Sequence, residues 1–300
     1  MFEYRIGVQS TDWRFVGDTC MTLEPCSLDR IGDVRAQEGC KEESVLKRVV
    51  TLMAFMGMAA GVAWAAENLF LGQWKMDSAK SRTPDEMKIE SQGGNKYGFN
   101  FGPGPEVETI LVDGTFQPGV SGTTLSVKME GPDTWIVERK LNDKLLIHAT
   151  WRLSKDGATL TDNFREFVPG SDALSVDYIY QRQGAGAGIA GDWKSVKETW
   201  ITPILLQVQP YQGDGLTFSI PVELDTKSAK LDGKEYAAAI ATLITSITQV
   251  NDHHLQMTNK YKGAVLDTRE IMVSPDGKTL TLTVHTPGKS DPDVRVFDRQ

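Results

Sequence analysis

The chain has 300 residues, of which 24% are charged and 40% hydrophobic, and a formal net charge of −8. That acidic balance leaves no basic stripe to displace counterions from phosphates, which excludes nucleic acid as a partner. All three cysteines (Cys20, Cys26 and Cys40) fall in the first 40 residues, so the remainder must be held by core burial without disulfides.

Residues 1–44 mix charges freely and show no sustained periodicity; they are expected to be a non-native or disordered leader. Residues 45–65 then read as a signal peptide. Lys47-Arg48 precede an apolar run from Val49 to about Val62, and Ala63 and Ala65 frame a small-residue cleavage site. The run is shorter than the roughly 18–20 residues of a spanning helix; a retained N-terminal anchor is the alternative. The expected location is therefore periplasmic or secreted, with no lipid-acceptor cysteine at the cleavage site and no transmembrane anchor in the mature chain. Residues 1–65 hold 7 of the 32 basic and 9 of the 40 acidic residues, so the rest carries −6.

From residue 66 the chain is written twice. "FLGQWKMDSAKS" (70–81) answers "IAGDWKSVKETW" (189–200), and Asp113-Gly114 answers Asp232-Gly233. "LSKDGATLT" (153–161) matches "VSPDGKTLT" (273–281), and "YIYQRQ" (178–183) matches "VRVFDRQ" (294–300). Matches in one order with nearly constant offset mark an internal repeat. The expected units are 66–183 and 191–300, joined by a Gly/Ala linker at 184–190.

Within each unit apolar residues alternate with period two, the mark of half-buried strands. In the first, strands are expected near 73–76, 87–92, 97–101, 107–112, 123–129, 134–140, 144–153, 158–167 and 174–182. Asp-Gly pairs in "SKDGAT" and "SPDGKT" supply the positive φ of tight hairpin turns. "EYAAAIATLI" (235–244) could form a helical turn instead of strand. The fold class is all-β: two tandem antiparallel meander barrels, closure removing exposed edges, with two-sheet sandwiches as the alternative.

Other motifs yield to simpler readings. Gly186-Ala-Gly188-Ile-Ala-Gly191 spells a dinucleotide-loop pattern, but no helical apolar face follows it and Gly191 already belongs to the second G-x-W. "NDHH" (251–254) is the densest set of metal-ligand residues. Adjacent histidines on extended chain point to opposite faces, so a solvated turn is expected. No catalytic residue, cofactor or metal ligand set is assigned.

The G-x-W strand, the meander and a lone arginine on the last strand resemble the lipocalin/calycin superfamily. More closely, "GQWKMDSAKS", "DGKEY", "VSPDGKTLT" and "VFDRQ" resemble bacterial exported proteins with tandem lipocalin-like repeats of no established activity. The resemblance covers nearly all of 68–300. It implies that the first-strand tryptophan packs under the last-strand arginine to close each barrel, Trp74 with Arg182 and Trp193 with Arg299. The second unit departs from the pattern, with "SVKET" in place of "DSAKS".

Barrel architecture suggests an interior that binds a small apolar molecule. The candidate ligand-binding residues are Trp151, Phe164, Tyr178 and Tyr180 in the first unit, and Phe297 with Asp267 and Arg269 in the second. Asp267 and Arg269 align with Ile147 and Ala149 of the first unit's apolar face. They form an interior ion pair unless a one-residue slip turns both outward. The expected function is that of an exported, non-enzymatic binding protein. The alternatives are a protein-interaction or envelope-structural module with filled barrels, and an enzyme with a site between the units.

Overall fold

The computed structural model describes residues 68–167, 173–238 and 242–300. The leader at 1–44 and the signal segment at 45–65 lie outside the described residues. In chain order the strands of the first half are β1 (Gly72–Met76), β2 (Glu86–Ser91), β3 (Lys96–Asn100), β4 (Glu108–Leu111), β5 (Gln117–Pro118), β6 (Thr124–Met129), β7 (Thr134–Leu141), β8 (Lys144–Leu153), β9 (Thr159–Glu166) and β10 (Leu174–Gln183). The second half supplies β11 (Gly191–Trp200), β12 (Leu205–Tyr211), β13 (Gly215–Ile220), β14 (Asp225–Lys230), β15 (Tyr236–Ala237), β16 (Leu243–Asn251), β17 (His254–Tyr261), β18 (Ala264–Val273), β19 (Thr279–His285) and β20 (Asp293–Arg299). Among the described residues there is no α-helix. Within "EYAAAIATLI", Tyr236–Ala237 and Leu243–Ile244 are strand, Ala237 pairing with Ile244.

Alternation places one face of each strand in the core. On β7, Trp135, Val137 and Arg139 are buried, and on β8, Ile147, Ala149 and Trp151. The strands form two ten-stranded antiparallel sheets that curl into nearly closed barrels. The Asp-Gly turns shared by the two halves draw the open seams together. Gly114 N–H donates to Val127 O at 3.0 Å, and Gly233 N–H to Ile247 O at 2.9 Å.

The sheets do not follow the two sequence units. One barrel runs β4-β3-β2-β11-β10-β9-β8-β7-β6-β5, and the other β14-β13-β12-β1-β20-β19-β18-β17-β16-β15. We call the barrel built on β2–β11 the first barrel and the other the second. Each G-x-W strand therefore sits in the barrel made by the other half of the chain. The expected domain limits 66–183 and 191–300 are corrected accordingly: the first barrel spans β2 to β11, and β1 fills the matching slot between β12 and β20. The physical reason is locality. The short linker at 184–190 lets β11 fold straight back on β10, as consecutive strands usually do, which leaves β1 for the remaining slot.

Candidate functional site

Each barrel is closed by a clasp of glycine, tryptophan and arginine. Arg299 stacks on Trp74 with its guanidinium carbon 4.1 Å from the ring centre, and Arg182 on Trp193 at 4.3 Å. The Trp74–Arg182 and Trp193–Arg299 pairs implied by the lipocalin resemblance are thus exchanged, because the tryptophan strands themselves are exchanged. The indole N–H groups donate to Phe70 O at 3.0 Å and Ile189 O at 2.9 Å. Gly191 holds φ +156°, and a Cβ there would lie 2.4 Å from the Arg182 guanidinium. Glycine is what lets the cation pass over the indole. Arg182 also donates to the carbonyls of Gly157, Gly188 and Ala190, so the C-terminal end of the Gly/Ala linker is tied down. These four residues close the barrels, and a guanidinium over an indole contributes on the order of 1 kcal/mol.

The second barrel is filled. Asp267 and Arg269 face inward, ruling out the slipped register, with Arg269 Nε donating to Asp267 Oδ1 at 2.8 Å and Nη1 to Asp225 Oδ2 at 2.7 Å. Lys227 also pairs with Asp225, and Asn259 donates to Asp267 at 2.6 Å. Charges in this network balance, two acids against two bases, and only about 10 Å³ of cavity remains beside them. Phe297 is fully buried core and does not line that cavity.

The first barrel is hollow. Its interior holds a cavity of about 80 Å³ whose walls include Trp151, Phe164, Tyr178 and Tyr180, the four candidates from the first unit. Phe101 and Trp200 complete an aromatic lining. The hollow has a simple origin: strand register places Ala149 opposite Val137 where the second barrel has Arg269 opposite Met257. A methyl group leaves open what a guanidinium fills.

The cavity also carries polar groups. Arg139 is buried and bidentate to Glu108, Nη1 to Oε1 at 2.9 Å, which ties β7 to the edge strand β4 across the seam. Tyr180 Oη donates to Asp85 Oδ2 at 2.7 Å. Asp162 lies directly across from Trp151 in the sheet, and both line the cavity. Asp162 Oδ1 and Trp151 Nε1 are both buried, near each other but without a well-formed hydrogen bond. Burial pushes the Asp162 carboxyl up to about 8, against the pull of the nearby indole N–H. Burial likewise raises Asp85, with the Tyr180 hydrogen bond working against it.

The second barrel supplies an internal control. Strand register equates Asp162 with Leu282 and Tyr180 with Phe297. Asp85 corresponds to Ile204, since Asp85 O accepts from Ser195 N–H on β11 as Ile204 O accepts from Met76 N–H on β1. All three counterparts are apolar and buried. The fold does not require polar groups at these places, and burying them is costly. They are the residues a function explains.

The chain matches no family model, no curated protein and no solved structure.

Asp85 and Asp162 escaped the sequence reading as interior residues. Asp85 looked like part of a loop, because its strand begins one residue later. Asp162 and Glu166, four residues apart, share a strand face by period-two spacing, but the cavity that both line requires the whole barrel. The signal that could have found them is the repeat itself, which sets each acid against an apolar residue. At "NDHH", His253 Nδ1 lies 3.1 Å from Val273 O, whereas His254 pairs with Glu270. The two rings thus have separate partners.

Proposed function

We propose that the chain is an exported binding protein that takes up one small molecule, in its first barrel only. The lipocalin-like second barrel serves as its filled structural counterpart. The observation that carries this reading is the asymmetry between two barrels of one repeat. The first keeps a cavity walled by aromatic side chains with buried polar atoms that lack a well-formed hydrogen bond, while the second packs the equivalent space with a balanced ion network. Apolar walls with a few convergent polar groups are the usual make-up of a small-molecule site. The cavity has about half the volume of an engineered ~150 Å³ cavity that binds benzene, so it takes a ligand's head and leaves the rest at the mouth.

Native mass spectrometry of the full chain, purified gently from a bacterial host, tests this. An extra mass that is lost on denaturation, and lost in an Ala149→Leu variant, is the expected result. The same adduct retained when Ala149→Leu fills the cavity would place binding elsewhere and refute the proposal.

A further inference from the structure

Two carboxyls, Asp85 and Asp162, line the first barrel's cavity, and the basic residue there, Arg139, is held by Glu108. Asp162 Oδ1 is buried without a well-formed hydrogen bond, on a residue only 5% exposed. Around these acids stand aromatic rings, with Tyr178 5.6 Å from Tyr180 and 6.3 Å from Phe164. Carboxylates inside an aromatic wall suit one kind of guest, since ring faces attract cations and a buried carboxylate is stabilised by an opposite charge. A cationic guest supplies the opposite charge that lets these carboxyls ionise, which a neutral or anionic guest does not.

We infer that the ligand's buried head is an organic ammonium group, held between Asp85 and Asp162 and walled by Trp151, Tyr178 and Phe164, with an apolar body extending to the mouth. This rests on the binding reading above and specifies its chemistry. Arg165 on β9 pairs with Asp177 on β10 at 3.0 Å, and Lys289, which faces Asp85 from the second barrel, pairs with Asp293. The Tyr180 phenol donates to Asp85 and stays protonated, because burial and the adjacent acids raise it well above its ordinary value. Without a ligand the Asp162 carboxyl, pushed up to about 8 by burial, keeps its proton at neutral pH. Ammonium binding releases a proton to solvent: the O–H bond of the carboxyl breaks, and the carboxylate left behind pairs with the ammonium.

The test is isothermal titration calorimetry of the full chain at neutral pH with hexylammonium and with 1-hexanol, which share length and apolar body. Hexylammonium is expected to bind at least ten-fold more tightly, with a heat that depends on the buffer's ionisation enthalpy as proton release requires. In Asp162→Leu, which installs the residue the second barrel carries at the matching position, the ten-fold preference is expected to vanish. Asp162→Asn provides a polar replacement of nearly the same shape, with the same expected loss. Equal or tighter binding of 1-hexanol to the wild type overturns the ammonium inference while sustaining small-molecule binding. A preference for hexylammonium that survives both substitutions overturns the assignment to Asp162. If neither probe binds, this inference and the reading beneath it both fall.

Discussion

Asp162→Asn separates a functional acid from a structural one through its effect on stability. In the folded chain this carboxyl titrates at about 8 instead of 3.8, with burial the largest cause. Below the lower value both folded and unfolded chains hold the proton, and Asp162 imposes no penalty. As pH rises from about 4 to 8 the unfolded chain gives up its proton while the folded chain keeps it, so stability falls across that window. At pH 7 the interval above 3.8 is about three units, or about 4 kcal/mol. Asparagine keeps the shape and cannot ionise. The variant is expected to match the wild type near pH 4 and to exceed it by about that amount at pH 7, measured by urea unfolding across the range. Parallel pH curves for the two proteins would falsify the argument that the acid is buried uncompensated.

Other consequences follow from the topology and the two interiors. Trp74→Ala removes a fully buried indole, a loss of about 3–5 kcal/mol. Hydrogen exchange should rise first at β12 and β20, its neighbours in the sheet, and not at β2, which follows it in sequence. Enhanced exchange at β2 and β10 instead would refute the strand exchange. Arg269→Ala leaves Asp267 without a cation and Asp225 with Lys227 alone in the second barrel's interior, and removing one member of a buried ionic network costs about 3–5 kcal/mol. Thermal unfolding should show that loss, whereas an unchanged midpoint would mean the network is not buried. Ala149→Leu should close the first barrel's cavity at little cost in stability, while abolishing ligand uptake in a native mass spectrum.

The sequence by itself determined the strands, since period-two alternation and Asp-Gly turns are local signals written by burial and positive φ. It also determined the repeat and the residue types of the clasp: Gly72 and Gly191, Trp74 and Trp193, Arg182 and Arg299. It could not determine which tryptophan meets which arginine. The two copies are alike enough that either G-x-W strand fits either slot, and the choice falls to the loops: β11 turns back on β10, and β1 takes the slot left open. Only the assembled barrels showed Ala149 leaving a hollow where Arg269 fills one. Only they brought Asp85, from the end of a crossing loop, to the Tyr180 hydroxyl, and set the buried Asp162 against the Trp151 indole. Side-chain volume and burial are properties of a closed interior, and they take shape only when strands distant in sequence meet around it.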